Sequence, residues 1–314
     1  MASAWDTDHP SGMVSIGTHS LFLSASGPDR KPGQPVVLLM QGLGSTIAEW
    51  VAVRRLVTPF ARRVAYDRSG LGQSESPLEP PEAITAVSVA TELDALLKSA
   101  GIGPPYIIVC HSWGGITARE FLHLRRDDVV GMVFVDANTE RTFEDTNWPP
   151  PWLGAVTGDV DWNERTGLSA SHKLSEEEWA AVINSQQDPR NQRTVAAESR
   201  GYQGDRAILA AKQQFETQPL RDRPVSVIRG NTPRDFRRMY DAGVAAGNGT
   251  EEERRLFREY LEDWDGRDHA YQHELLKLSS YGRYSRTSTS GHNIHMEEPE
   301  LVAKEVRWVW DHAM

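Results

Sequence analysis

Short apolar runs alternate with longer amphipathic stretches through the first 138 residues of the chain. A continuous apolar run predicts a strand buried on both faces of a parallel sheet, because neither side of such a strand meets water. The clearest runs are residues 36–40, 63–67, 106–110, 129–135 and, after a long interval, 225–229. Residues 13–16, 21–25 and 284–290 predict three further strands.

The stretches between these strands have the period of amphipathic helices. The clearest covers residues 83–100, in which one face carries Val87, Ala90, Leu93, Leu96 and Leu97. A last helix is expected at about residues 298–311. Strand and helix in alternation imply right-handed crossovers, so the sequence predicts a doubly wound, mostly parallel α/β sheet.

The alternation stops near residue 138 and the strand pattern resumes only at residue 225. The interval has Pro-rich turns and several helical segments. One of these begins at Ser175, which forms a capping box with Glu178. We therefore expect a helical lid at residues 139–223, inserted into an α/β core made of residues 1–138 and 224–314.

Composition narrows the class of protein. The chain has 314 residues and a formal net charge of −10, which argues against nucleic acid as a main partner because phosphate binding needs clustered Lys and Arg. The longest apolar run is far shorter than the ~20 residues that cross a bilayer, so we expect no membrane association. No secretory signal is visible, and the single Cys110 excludes a disulfide within the chain. We expect a soluble, cytoplasmic protein that acts on a small molecule, with a homodimer left open.

Residues 110–115, Cys-His-Ser-Trp-Gly-Gly, lie where an apolar strand runs directly into a predicted helix. This context is typical of a nucleophile elbow, a turn so tight that the residues two before and two after the central Ser must be small. Gly114 meets this requirement, and Cys110 is small enough to fit. The turn presents the Ser hydroxyl near a helix N-terminus, which favours negative charge. Ser112 is therefore the candidate nucleophile.

A nucleophilic Ser needs a base that is itself oriented by a third group. Among ten His, His292 lies just past the last predicted strand, so it can return to the sheet edge that presents Ser112. His295 is the rival base. The two His are also an alternative metal pair, but no third ligand with suitable spacing accompanies them, so we expect no metal.

Two Asp residues compete for the role of the acid that orients the base. Asp136 directly follows the strand 129–135, whereas Asp235 lies beyond the strand 225–229. Both give the order Ser, acid, His along the chain. We favour Asp136, because an acid is best positioned by a rigid element, and keep Asp235 as the alternative. Glu140 is a more distant candidate.

The Gly-rich turn at residues 41–45, Gln-Gly-Leu-Gly-Ser, is the candidate oxyanion hole. Its glycines let the backbone approach a substrate closely. The N–H groups of Leu43 and of Trp113, the residue after the nucleophile, would form the donor pair. The turn is not a phosphate loop, because no Gly-Lys-Ser/Thr follows it.

Four stretches, in this order, resemble the α/β-hydrolase superfamily over nearly the whole chain. They are residues 36–42 with Trp50 downstream, residues 66–74, residues 110–115 and residues 291–299. The resemblance implies Ser112 as nucleophile, His292 as general base, and Leu43 and Trp113 as oxyanion donors. Asp136 matches the subset of the superfamily, including some lactonases and the haloalkane dehalogenases, whose acid follows the strand after the nucleophile helix.

Two positions depart from the family pattern. Gln41 stands where the family usually has a His, and Cys110 stands where the elbow has its first Gly. Neither position belongs to the triad, and we expect Gln41 to contact the substrate. A Ser nucleophile, where dehalogenases and epoxide hydrolases of this fold carry Asp, argues against those two reactions.

In this superfamily a helical lid commonly enters after the strand that ends at Asp136, where the predicted insertion begins. The insertion carries Trp148, Trp152, Trp162 and Trp179, and we expect Trp152 or Trp113 to wall an apolar pocket. The sequence thus predicts a lidded serine hydrolase that cleaves an ester or lactone in an apolar small molecule, with no metal or organic cofactor. Two other hypotheses stay open: carbon–carbon cleavage or cyclisation by the same triad, and a receptor-like protein with vestigial activity.

Overall fold

A mostly parallel sheet forms the centre of this computed structural model, which describes residues 3–144 and 149–313. Within those residues its strands are β1 (Ser11–Ser15), β2 (Ser20–Ser26), β3 (Val36–Met40), β4 (Arg63–Tyr66), β5 (Tyr106–His111), β6 (Val129–Val135), β7 (Val225–Arg229) and β8 (Gly282–Arg286). They lie in the order β1-β2-β4-β3-β5-β6-β7-β8. Only the pairs β1–β2 and β2–β4 are antiparallel among these described strands. The predicted fold class is confirmed.

The connections between strands are largely helical. In the described part of the chain the α-helices are α1 (Val51–Val57), α2 (Ala86–Ala100), α3 (Gly114–Leu124), α4 (Pro151–Thr157), α5 (Trp162–Arg165), α6 (Leu168–Ser171), α7 (Glu176–Gln187), α8 (Pro189–Ala210), α9 (Gln214–Thr217), α10 (Thr232–Ala245), α11 (Glu251–Glu274), α12 (Ile294–Glu297) and α13 (Pro299–His312). Short 3₁₀ turns cover Ile47–Trp50 and Leu275–Leu278. Among the described residues no helix combines the length and apolar character that a membrane span requires.

Alternate residues of the central strands point into two separate apolar layers, as the pleat of a strand requires. Leu38 of β3 packs in one layer with Leu93 of α2 and Phe121 of α3. Leu39 packs in the other layer, with residues of α1 and α13 such as Val306. Burial on both faces explains why β3 is apolar at every position.

Two predicted elements differ from the structure in detail. On α2, Val89 is buried with Leu93 and Leu97, whereas Val87 is 39% exposed; the buried face is therefore turned slightly from the predicted one. The last strand is β8, which pairs with β7 from Gly282, earlier than the predicted 284–290. The chain leaves the sheet after β8, and this frees the following residues to turn back towards its edge.

The helices after β6 and after β7 pack against each other. Aromatic residues of α10 and α11, which lie outside the predicted lid at 139–223, bury their side chains against Val156 of α4. We keep the division into the core 1–138 and 224–314 and the lid 139–223 as a proposal. In that division α10 and α11 are the part of the core against which α4 of the lid packs.

Helix α8 is attached to the core along its length. It begins with Asp188 as N-cap and Pro189 in its first turn, which are both strong start signals. The N–H of Ile84 donates to the carbonyl oxygen of Ala197 (3.0 Å). Gly201 lies so close to the same segment that a Cβ there would be 1.9 Å from the carbonyl oxygen of Ile84. The helix therefore rests directly on the core backbone.

The close contact between Gly201 and Ile84 can be tested by an alanine substitution, with the same substitution at Gly204 of α8 as the control. We expect Gly201→Ala to lower the free energy of unfolding by ~1–3 kcal/mol, because the added methyl group overpacks the contact. Gly204→Ala should be neutral or stabilising by up to ~1 kcal/mol, because a Cβ at that position meets nothing within 4 Å. Urea unfolding followed by circular dichroism measures both. Equal free energies for the two variants would contradict this packing of α8.

Candidate active site

Ser112 lies in a sharp turn between β5 and α3. Its φ of +55° is in the left-handed region, which costs energy for a residue with a side chain. A Cβ on Gly114 would lie 2.5 Å from the carbonyl oxygen of Met40, so this position has no room for a larger residue. Cys110 is fully buried in β5. The turn has the geometry expected of the predicted nucleophile elbow.

His292 and Asp136 form the hydrogen bond that the sequence analysis favoured. Nδ1 of His292 lies 2.6 Å from Oδ2 of Asp136, and because a carboxylate only accepts, the imidazole donates from Nδ1. The N–H of Gly230 donates to Oδ1 of the same Asp136 (2.7 Å). The carboxylate is 2% exposed and the imidazole 26%. Nε2 of His292 is then the ring nitrogen without a proton, and His292 lines the same two cavities as Ser112.

Asp235 contacts a different part of the same residue. It lies in the first turn of α10 and accepts the backbone N–H of His292 at Oδ2 (2.9 Å). Its other oxygen accepts from Arg234. Geometry thus separates the two candidates: Asp136 binds the imidazole, and Asp235 holds the backbone of the loop. Glu140, the more distant candidate, is paired instead with Arg119.

Opposing effects set the pKa of His292. Burial acts to lower it, but the hydrogen bond and charge of Asp136, together with the charges of Asp235 and Asp268, raise the pKa above its ordinary value. Asp268 was not anticipated from the sequence. It is bonded to Arg229 (2.6 Å), and burial followed by the charge of Asp136 raises the pKa of its carboxyl to about 7.

His295, the rival base, lies deeper in the protein. It is fully buried and stacks on Trp50 with ring centroids 4.8 Å apart. His111 fills the space between the rings of His295 and His292, and its Nε2 donates to the carbonyl oxygen of His292 (2.9 Å). Burial is the largest cause that lowers the pKa of His111 and of His295 below the ordinary value for an imidazole. In the part of the chain that is described, no group of three or more His, Cys, Asp or Glu is arranged to hold a metal ion.

The candidate oxyanion loop lies directly against the nucleophile. A Cβ on Gly42 would be 3.1 Å from Cβ of Ser112, so only a Gly fits there without displacement. The backbone N–H groups of Leu43 and Trp113 belong to the residues that follow Gly42 and Ser112, and within residues 3–144 and 149–313 neither donates to a protein acceptor. They are available to a substrate oxygen.

Two cavities meet at Ser112 and His292. The larger, of about 410 Å³, lies under α7 and α8 and is lined by the oxyanion loop and by polar side chains such as Gln186 and Gln192. The smaller, of about 190 Å³, combines bulky apolar side chains with polar and charged ones, among them Asn138, Asp268 and Gln272. Its apolar wall is formed by Phe143, Leu153, Trp162, Phe236 and Trp264. Trp162 borders both cavities.

The side chains predicted to contact substrate lie elsewhere. Gln41 is buried and donates from Nε2 to the carbonyl oxygen of Tyr66 (2.9 Å), because its side chain turns towards β4. Trp152 packs between Phe257 and Tyr260, with ring centroids 5.2 and 5.3 Å away. Among the described residues neither lines the two cavities at Ser112. The indole of Trp113 is also buried away from them, and Trp148 lies outside the described residues.

The unequal roles of the two Asp residues lead to a prediction. Asp136→Asn should lower the pKa of His292 by roughly one unit or more, because it removes the charge bonded to the imidazole. Asp235→Asn should lower it less, since that carboxylate faces the backbone. NMR titration of the imidazole, assigned by comparison with His292→Gln, measures both pKa values. A larger fall in Asp235→Asn would contradict the geometry described above.

Comparisons with known proteins agree with this fold. The model of the alpha/beta hydrolase family matches residues 36–305. An AB hydrolase superfamily protein of Gibberella zeae is 34% identical, with 98% of each chain covered. A Hormonema carpetanum protein named probable transporter efuK is 36% identical over 98% of this chain, which spans only 44% of that protein's length. A solved structure of a thermophilic esterase from Thermogutta terrifontis has a TM-score of 0.58 at 16% identity, covering 98% of this chain and 100% of the other. The chain belongs to the alpha/beta hydrolase family.

Proposed function

We propose that this protein is a serine hydrolase that cleaves an ester or lactone bond in a mainly apolar small molecule. The observation that carries the proposal is the hydrogen bond from His292 to Asp136, beside a Ser112 that is held in a strained elbow and open to two cavities. A strained turn, a buried acid and an oriented imidazole are the parts that nucleophilic catalysis by Ser requires.

The reaction would proceed in two halves. His292 accepts the hydroxyl proton of Ser112 at Nε2 while the Ser oxygen attacks the substrate carbonyl, and Leu43 and Trp113 N–H groups bind the oxyanion. The imidazolium then gives its proton to the leaving alcohol, and an acyl-enzyme remains. Water, deprotonated by His292, attacks the acyl carbon, and the imidazolium then returns this proton to the Ser112 oxygen as the bond to the acyl carbon breaks and the acid leaves. Asp136 stabilises the imidazolium in both halves.

The two cavities suggest how a substrate would lie. The smaller one offers an aromatic wall, so we propose that it takes the apolar half of the substrate. The larger one offers amide side chains from α7 and α8, including Gln186 and Gln192, and these would bind a half with hydrogen-bonding groups. The scissile carbonyl would lie between them at Ser112.

The sequence predicts further properties that we retain as proposals. The substrate is a small molecule, and neither nucleic acid nor membrane is a partner. The triad needs no metal or organic cofactor for ester cleavage. A cytoplasmic location follows from the same sequence argument, and the choice between a monomer and a homodimer stays open.

A fluorophosphonate tests whether Ser112 is activated. We expect one covalent adduct on the natural protein, seen as a single increase in intact mass, because the reagent phosphonylates an activated Ser. The adduct should be absent in Ser112→Ala. It should persist in Ser199→Ala, a matched change at an exposed helix position whose hydroxyl bonds only within α8.

Failure of the natural protein to form the adduct would contradict the proposal. Hydrolysis itself is tested in ¹⁸O-labelled water with a panel of esters and lactones, since only hydrolysis places the label in the acid product. An adduct without such label incorporation would favour carbon–carbon cleavage or cyclisation by the same triad.

A larger side chain at Leu153 would fill part of the smaller cavity, which we call the aromatic chamber. Leu153→Trp should reduce the preference for long over short apolar chains by ~10-fold in kcat/KM, because the larger ring takes up much of the 190 Å³. The preference is measured on p-nitrophenyl alkanoates, which vary the acyl chain, and on alkyl acetates, which vary the alcohol chain. It should change in the series whose varied chain occupies this cavity. Trp152→Phe is the control, because Trp152 packs away from the chamber. An equal change in the control would contradict this assignment.

A further inference from the structure

The oxyanion loop is held from behind by a buried ion pair. Nη2 of Arg68 donates to the carbonyl oxygen of Gly42 (2.8 Å) and Nη1 to that of Gln41 (3.1 Å). The guanidinium is paired with Glu198 of α8 through Nε (2.7 Å) and Nη2 (2.9 Å). Glu198 also accepts the N–H of Gly44 (2.7 Å). The two side chains are 3% and 0% exposed.

These contacts fix the orientation of the candidate oxyanion donor. The carbonyl of Gly42 and the N–H of Leu43 belong to one peptide unit, in which they point in opposite directions. A guanidinium bonded to that carbonyl therefore directs the N–H of Leu43 to the opposite side, away from Arg68, and Leu43 and Ser112 line the same cavity. The guanidinium also polarises the peptide, which strengthens the N–H as a donor. The next peptide is held at Gly44 by Glu198.

The second donor is held by the same helix. Trp113, whose N–H is the other candidate donor, is fully buried, and its indole Nε1 donates to Oδ2 of Asp205 (3.0 Å). Oδ1 of Asp205 accepts the N–H of Ala86 (2.8 Å). The guanidinium of Arg68 lies 5.3 Å from the centroid of the Trp113 ring. Glu198 and Asp205 are seven residues apart, which places them on one face of α8.

We propose that Glu198 and Asp205 of α8, together with Arg68, are positioning residues of the oxyanion hole, Glu198 and Arg68 acting through Leu43 and Asp205 through Trp113. The inference rests on the proposed function, because an oxyanion hole has a role only if Ser112 attacks a carbonyl. It makes the lid helix part of the catalytic arrangement, so that both donors are aligned only while α8 is docked on the core.

The decisive variant is Glu198→Gln, which keeps the shape of the side chain and removes the charge. We expect kcat for p-nitrophenyl butyrate and the rate of fluorophosphonate labelling to fall together by ~10-fold, with KM changed less than ~2-fold because ground-state contacts are kept. The pH at which the base titrates should stay unchanged. Arg68→Lys should give a similar loss, and the double variant should lose little more than either single one.

Thr194→Val is the matched control. Thr194 lies one turn earlier on the same face of α8 and donates to the carbonyl oxygen of Gly70, without contact to the oxyanion loop. This variant should keep kcat and the labelling rate while lowering the thermal unfolding temperature. If Glu198→Gln unfolds at the natural temperature and labels at the natural rate, the positioning role is wrong although the proposed function stands.

Hydrogen exchange gives a readout that does not depend on activity. Amides of residues 42–45 should exchange faster in Glu198→Gln than in the natural protein, because the carboxylate that holds the N–H of Gly44 is lost. Thr194→Val should leave them unchanged. Unchanged exchange in Glu198→Gln would overturn the inference whatever the enzyme does. The inference would also be overturned if the amides exchange faster in Glu198→Gln but the natural protein forms no fluorophosphonate adduct at Ser112. In that case Ser112 would not attack a carbonyl, and there would be no oxyanion to bind.

Discussion

The hydrogen bond between His292 and Asp136 is the interaction on which the rest of the site depends. It joins residues 156 positions apart, so it forms only when β6 and the loop after β8 end at the same edge of the sheet. Gly230 directly follows β7, the strand between them, and its N–H donates to the other carboxylate oxygen. A Cβ on Gly230 would lie 2.2 Å from the carbonyl oxygen of Gly291. Three neighbouring strand ends therefore converge on one carboxylate.

This convergence explains why much of the site could be predicted. In a parallel sheet the carboxyl ends of the strands share one edge, so polar residues that directly follow apolar runs are brought together. Ser112 and Asp136 meet this criterion and His292 lies just past the last predicted strand, and the structure places all three around one cavity. Asp235 lies six residues beyond the end of β7, in the first turn of α10, and its carboxylate reaches the backbone of the loop. The distance from the strand end, which was the reason for favouring Asp136, decides which part of His292 each acid touches.

The residues that line the cavities could not be predicted from the same pattern. Trp152 and Leu153 are neighbours on α4, and a helix turns each residue by about 100°, so tertiary packing decides which one faces the chamber. The buried face of α8 is harder to predict from the sequence, because it carries the charged residues Glu198 and Asp205. Apolar periodicity finds a helix face that is buried through its hydrophobic residues. Apolar periodicity does not find a face that is buried through hydrogen bonds to the core. The hydrogen bond from the Gly44 N–H to Glu198 joins residues 154 positions apart, so no local pattern indicates it.

Burying Arg68 and Glu198 carries a desolvation penalty of several kcal/mol per ion, which their attraction alone need not offset. Here the backbone of residues 41–44 supplies the remaining partners, so releasing α8 would leave the guanidinium of Arg68 without its counter-charge as well as free the loop. Under the proposed function we therefore expect α8 to stay docked on the core while a substrate binds. The larger cavity is bordered by Gln186 and Gln192, which are both exposed. Gln186 lies on α7 and Gln192 on α8, so we propose that a substrate enters between these two helices, by a route that leaves α8 and the oxyanion loop in place.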